Sequence, residues 1–228
     1  MIEDAVQKVQ ARIEQARLRV GRTDKVTLVA VTKNHPVSAV EEVAQLGITN
    51  VGENRVQEAK EKMLTYRGEP LTWHLIGHLQ TNKVRQAVSL FQLIHSVDSK
   101  KLLDEIDKVA AKNDKVQEIL LQVNVAREAS KTGMTVEEFP ALRDYAKTLP
   151  HIKVRGLMCI APFAENPETV RPVFRVAAAL FEDMKQYFPA GQISELSMGM
   201  THDFEVAIEE GATIVRVGTA IFGERVYY

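Results

Sequence analysis

Lys33 directly follows the apolar run Val26-Thr-Leu-Val-Ala-Val-Thr32. Such a run reads as a strand, and the lysine opens the loop after it. A lysine in that place is often only a solvated loop residue. Drawn into an apolar mouth, however, its charged form loses hydration and the neutral amine gains population. A neutral amine can attack a carbonyl and form a Schiff base. Two further segments have the composition of an anion cradle. They are Ser197-Met198-Gly199-Met200-Thr201 and Gly218-Thr219, each placed after a β-rich run. Glycine lets backbone N–H groups approach a phosphate, hydroxyls add donors, and a following helix adds its dipole. Turns need glycine as well, so neither segment decides anything alone. Arg216 lies inside Ile214-Val-Arg-Val217, on the face of Ile214 and opposite Val215 and Val217. A guanidinium buried there requires an anion or a strong acceptor. That partner is either a nearby glutamate or a ligand's ring nitrogen or phosphate. Asn54, two residues past Gly52, is suited equally to bonding a ligand and to capping the next helix.

Other reactive residue types carry less. His74 and His78 are four apart, which on a helix would suit a metal. Their segment, Trp73-His-Leu-Ile-Gly-His78, reads as a strand, where that spacing separates them by about 13 Å. It also lacks the glutamate of H-E-x-x-H. His74 is therefore expected in the core or barrel interior, and His78 near the mouth. Cys159, the sole cysteine, reads as a packed residue rather than a nucleophile. His202-Asp203 close to Ser197 hints at a hydrolase, but no G-x-S-x-G accompanies it.

These residues need a scaffold that gathers strand ends. The hydrophobic pattern supplies one. A leading helix is predicted over 2–20, with Val6, Val9, Ile13 and Ala16 on one stripe. Strands are then predicted at 26–32, 48–52, 72–76, 93–97, 118–125, 154–160, 193–197 and 213–217. Helical segments separate them. The first starts near Pro36 and stops at Gly47, and others cover 54–66, 80–90, 166–188 and 202–210. Leu102, Leu103, Ile106, Val109 and Ala110 mark the most regular helix. Thr135-Val-Glu-Glu138 forms a capping-box pattern ahead of another. Pro172 must sit near the start of its helix or kink it. Eight strands, each but the last followed by a helix, predict parallel pairing through crossovers. The expected fold is one (β/α)8 barrel spanning residues 1–228. An open doubly wound sheet is the alternative, but no G-x-G-x-x-G follows the first strand. In the barrel, functional residues gather at the C-terminal strand ends, and phosphate sites form after strands seven and eight.

Composition narrows the function. The chain has 228 residues, 45% hydrophobic and 26% charged, which suits a globular domain rather than a disordered one. Lys plus Arg (29) nearly balances Asp plus Glu (30), so no basic excess points to nucleic acid. No run of 18 apolar residues suggests a membrane span. The acidic start, Met1-Ile2-Glu3-Asp4, lacks the apolar core of a secretion signal, and one cysteine suits a reducing compartment. A cytoplasmic protein is expected.

A strand-one lysine, a phosphate site after strands seven and eight, and a strand-eight arginine together suit pyridoxal 5′-phosphate (PLP). The sequence resembles the PLP homeostasis protein family, also described as proline synthetase co-transcribed homologues. The resemblance rests on Val29-Ala-Val-Thr-Lys33, Val51-Gly-Glu-Asn-Arg-Val-Gln-Glu58, Trp73-His-Leu-Ile-Gly-His-Leu-Gln-Thr-Asn-Lys83, Arg155-Gly-Leu-Met158, Leu196-Ser-Met-Gly-Met-Thr-His-Asp203 and Val215-Arg-Val-Gly-Thr-Ala-Ile-Phe-Gly223. It covers essentially the whole chain. It implies the barrel of the alanine racemase N-terminal domain, fold type III among PLP proteins. Lys33 matches the Schiff-base lysine, which would hold PLP as a covalent aldimine. Ser197, Met198, Gly199, Gly218 and Thr219 match the phosphate end, Arg216 the pyridine nitrogen, and Asn54 the ring-hydroxyl side. Thr201 stands where a serine is common. The family implies a PLP carrier or regulator in vitamin B6 and amino-acid metabolism without established catalysis, with PLP-dependent apo-enzymes as conceivable partners.

The alternative is a PLP enzyme such as an amino-acid racemase; a phosphorylated-sugar enzyme on the same barrel is more remote. PLP is an electron sink when its pyridine nitrogen is protonated. An arginine cannot accept that proton, so Arg216 disfavours this state. Racemases of this type take a second base, a tyrosine, from an additional C-terminal domain across a dimer. Here eleven residues follow Val217, with Tyr227 and Tyr228 last. The expectation is a monomeric carrier.

Overall fold

The computed structural model describes residues 1–127 and 132–223. Helices and strands alternate in the order α1 (Ile2–Arg19), β1 (Thr27–Val31), α2 (Val37–Gln45), β2 (Asn50–Glu53), α3 (Val56–Thr65), β3 (Thr72–Leu75), α4 (Val84–Leu90) and β4 (Leu93–Val97). They continue with α5 (Lys100–Lys112), β5 (Gln117–Gln122), α6 (Phe139–Ala146), β6 (Ile152–Met158), α7 (Arg171–Met184), β7 (Glu195–Ser197), α8 (Phe204–Glu209), β8 (Ile214–Val217) and α9 (Thr219–Phe222). Each strand pairs with its sequence neighbours, and β8 pairs back onto β1. All these pairings are parallel, so the sheet closes as the expected (β/α)8 barrel with no free edge.

The strands carry apolar residues on both faces because both are covered. Val29, Leu93, Leu120, Met158 and Ile214 form a small cluster inside the barrel. Their neighbours Ala30, Ile94, Ile119, Leu157 and Val215 belong to the larger core between sheet and helices. That core takes the predicted stripe of α5 whole, and Ser99 Oγ caps the helix by accepting the Leu102 N–H (3.3 Å). Gly47, at φ +83°, ends α2 in the left-handed conformation expected of a C′ glycine. Among the described residues no helix is long and apolar enough to cross a membrane.

Several boundaries differ from the sequence pattern. β2 and β6 begin and end off the predicted positions, because parallel register rather than apolar content decides what pairs. The Thr135–Glu138 box forms reciprocally, Thr135 N–H to Glu138 Oε2 (2.9 Å) and Glu138 N–H to Thr135 Oγ1 (3.2 Å). It closes a turn, however, and α6 starts later, at Phe139, with Pro140 in its first turn. Proline has no N–H to give and is tolerated there. The predicted 166–188 helix is α7 flanked by 3₁₀ turns, with Pro172 again in the first turn. The one-turn α9 after β8 is too short to show a periodicity.

Candidate functional site

A cavity of about 260 Å³ opens where the strands end on their C-terminal side. β1 brings Val31 and Lys33 to it, the β2 loop Asn54, and the ends of β3 and β6 Ile76 and Ile160. The β7 loop contributes Met200, Thr201 and His202, and β8 with its loop contributes Arg216, Gly218 and Thr219. Lys33 is half-buried. His35 also lines the cavity, and its ring stacks on Phe222 at 4.6 Å, tying the β1 loop to α9.

Arg216 forms the cavity's inner wall and is only 3% exposed. Its guanidinium donates from Nη1 to Ser197 Oγ (2.6 Å) and from Nη2 to the Cys159 carbonyl (3.1 Å). The glutamate partner that the sequence allowed is absent: among the described residues no carboxylate forms an ion pair with Arg216. Burial pushes its pKa down to about 10, partly offset by Cys159 and Asp203, so it remains a cation at neutral pH. A buried cation with only neutral acceptors is costly unless something else faces it.

Behind Arg216 a chain of hydrogen bonds crosses the barrel interior. Arginine can only donate, so Ser197 Oγ accepts from it and passes its own proton to His95 Nδ1 (2.9 Å). His95 Nε2–H then donates to His74 Nδ1 (2.9 Å), and His74 Nε2–H to Asn50 Oδ1 (2.9 Å). Asn50 Nδ2 donates to Thr49 Oγ1 (3.1 Å), which orients its oxygen toward His74. Both imidazoles are thereby assigned as neutral Nε2–H tautomers from the network. Burial lowers the His74 pKa to about 4 and holds His95 well below its usual value, the latter also through His74 and Arg216. Each unfolded histidine titrates near 6.5. The unfolded chain therefore binds protons that the native state refuses as pH falls from 6.5 toward 4. Stability should be full above that window and fall through it, by about 1.4 kcal/mol per pH unit for each histidine. Urea midpoints measured at pH 7.5 and 5.5 should differ accordingly, and less so in a His74→Gln variant.

The loops after β7 and β8 hold backbone N–H groups that face no acceptor among the described residues. The N–H groups of Thr201, His202, Gly218 and Thr219 make no hydrogen bond to another described residue. Thr201 Oγ1 accepts the Ala220 N–H (3.3 Å) and joins the two loops. Gly199, at φ +95°, folds its loop onto α8; a Cβ there would meet the Ala207 Cβ at 2.6 Å.

Of the eight predicted cofactor residues, Lys33, Asn54, Arg216, Gly218 and Thr219 line this cavity. Ser197, Met198 and Gly199 do not, because the strand alternation and the tight β7 turn aim them elsewhere. Ser197 faces the interior and holds Arg216. Met198 is buried in the outer core, its N–H bonded to the Ile214 carbonyl (3.1 Å). Gly199 accepts the Arg216 N–H (3.0 Å). Met200, Thr201 and His202, from the far end of the same loop, line the cavity instead. Asn54 does not cap α3, whose N-cap is Arg55. His74 lies inside the barrel, while His78 is exposed in a neighbouring depression beside Arg55 and Lys83. Cys159 is buried. Asp203 Oδ1 accepts the Met200 N–H (2.7 Å) within its own loop, and His202 packs edge-on against Phe163 of the loop after β6. Among the described residues no group of metal-ligating side chains could hold an ion. Tyr227 and Tyr228 lie outside the described residues.

Comparison with known proteins agrees with this geometry. The family described as "Alanine racemase, N-terminal domain" matches residues 5–226. The pyridoxal phosphate homeostasis protein of Aquifex aeolicus is 46% identical over 225 residues, covering 98% of each chain. The chain belongs to the pyridoxal phosphate homeostasis protein family. PipY of Synechococcus elongatus PCC7942, solved without PLP, superposes with a TM-score of 0.88 at 36% identity, covering 98% of this chain and 100% of that one. PipY with PLP bound gives 0.80 at 37% identity, with the same coverage.

Proposed function

We propose that this family member holds PLP in the β-strand mouth through a Schiff base to Lys33. It would act as a cofactor carrier in vitamin B6 and amino-acid homeostasis rather than as a catalyst. The observation that carries the reading is Arg216, a buried cation on the cavity wall whose hydrogen bonds run only to neutral acceptors. A pyridine nitrogen kept unprotonated is a fitting acceptor for it. The PLP-bound PipY structure and the names of the relatives support the same cofactor.

When bound, PLP supplies an aldehyde, an electron-accepting ring and a phosphate. Lys33 would supply the amine that holds the aldehyde. Thr201, His202, Gly218 and Thr219 offer their N–H groups to the phosphate, and the Thr219 hydroxyl adds a donor. Asn54 would take the ring-hydroxyl side. Arg216 would donate to the ring nitrogen and, being unable to take up a proton, would keep the ring a weak electron sink. That favours storage over carbanion chemistry. A monomer in the cytoplasm that exchanges PLP with apo-enzymes completes the proposal.

Titrating the purified protein with PLP should produce an absorbance band near the violet-blue edge that saturates at one cofactor per chain. Incubation with amino acids should give no sustained racemase or decarboxylase turnover. A protein that shows no band has been misread as a PLP binder, and turnover that disappears with Lys33→Ala would make it an enzyme.

A further inference from the structure

The Val51–Glu58 motif contains two glutamates that the cofactor reading leaves unused. Glu53 ends β2 and is fully buried; Glu58 lies on α3. Between them stands Lys62, one helical turn past Glu58, with a side chain 7% exposed. Lys62 Nζ spends all three of its donors here: on Glu53 Oε1 (2.6 Å), on Glu58 Oε1 (2.7 Å) and on the Thr32 carbonyl (2.6 Å). The two carboxylates reach the two residues that flank Lys33, Glu53 through a side chain and Glu58 through the backbone. Glu53 Oε1 accepts the Thr32 hydroxyl (2.5 Å), and Glu58 Oε1 accepts the Asn34 N–H (2.5 Å). Thr32 is further held by its own N–H to the Gly52 carbonyl (3.0 Å). Asn34 has φ +61°, a left-handed conformation that needs such an anchor more than a relaxed residue would.

Thr32 and Asn34 are the two neighbours of Lys33. We propose that Glu53, Glu58 and Lys62 form an ionic clamp that positions Lys33 for the cofactor's aldehyde, an inference that rests on the assignment of Lys33 above. A buried ion pair is weak grounds for a stability role, since its desolvation cost roughly cancels its attraction. The direction of these hydrogen bonds is more informative. Every arm of the network ends on the residue before or after Lys33. With the backbone fixed on both sides, the only freedom left to the amine is its own side-chain torsions. Pre-orientation of this kind speeds the attack of a tethered group without adding any contact to the ligand. The three are positioning residues, with no contact to the cofactor assigned to them.

Glu58 is the arm to test, because its side chain is 21% exposed and Glu53 and Lys62 stay paired without it. In Glu58→Ala the Asn34 N–H loses its acceptor; in Glu58→Gln an oxygen remains to take it. Two probes separate positioning from pocket integrity. PLP reports covalent attachment by stopped-flow absorbance, and pyridoxine 5′-phosphate, which has no aldehyde, reports non-covalent binding by calorimetry. Glu58→Ala is expected to form the absorbance band about tenfold more slowly than wild type, with unchanged affinity for pyridoxine 5′-phosphate. Glu58→Gln should recover most of the rate. The clamp is overturned if Glu58→Ala reacts at the wild-type rate, if both variants slow equally, or if pyridoxine 5′-phosphate weakens in step with the rate. Failure of wild type itself to form the band while binding pyridoxine 5′-phosphate would overturn the assignment of Lys33 and the clamp with it.

Discussion

Lys33→Ala should lose covalent PLP altogether. No violet-blue band should form at any PLP concentration, and borohydride should fix no cofactor to the protein. The effect is all-or-none because a Schiff base requires an amine at that atom, and alanine supplies none. The rest of the site is untouched: Arg216 keeps its bonds to Ser197 and Cys159, and the N–H groups of the β7 and β8 loops keep their places. The variant should therefore still bind pyridoxine 5′-phosphate. A band that survives the substitution would mean that another lysine carries the aldehyde.

Gly156→Ala should cost the barrel a large part of its stability. Gly156 sits on β6 opposite Glu195 of β7, and the two strands approach so closely there that a Cβ would lie 1.8 Å from the Glu195 carbonyl oxygen and 2.7 Å from its carbon. Both obstacles are backbone, so no rotamer relieves the clash; β6 and β7 must separate. Gly52 makes an instructive contrast. Its Cβ would meet side chains, Val29 Cγ1 at 2.8 Å and Ile76 Cδ1 at 3.2 Å, which can shift. A cost on the order of 4 kcal/mol or more is expected for Gly156→Ala, against a typical total stability of about 5–15 kcal/mol. Urea midpoints and soluble yield would register it. An unchanged midpoint would show that the strands are not held at this spacing.

The barrel was legible because each of its units repeats the same instruction. Short β-branched runs alternate with 3.6-periodic segments, eight strands match the count of a closed barrel, and no G-x-G-x-x-G favoured the open doubly wound sheet. Lys33, Asn54, Arg216, Gly218 and Thr219 were legible for a related reason: a strand end is identifiable by its sequence, and the barrel brings all strand ends together. Ser197 shows the limit of that argument. It lies on the expected strand, yet in a three-residue strand one step of register decides between rim and interior, and its hydroxyl points inward to Arg216 and His95. The interior chain from Asn50 to Arg216 joins β2, β3, β4, β7 and β8. Contacts between residues so far apart in sequence leave no local pattern. The same holds for the Glu53–Lys62 pair, whose meaning appears only when Thr32 and Asn34 are seen between its arms.

The claim on which all of this depends is that the Lys33 amine is the covalent anchor. Borohydride reduction of the PLP-loaded wild-type protein, followed by proteolysis and peptide mass mapping, tests it most directly. A single pyridoxyl group is expected, on the peptide that carries Lys33. Label on any other lysine, or a loaded protein that takes up no label, would contradict it.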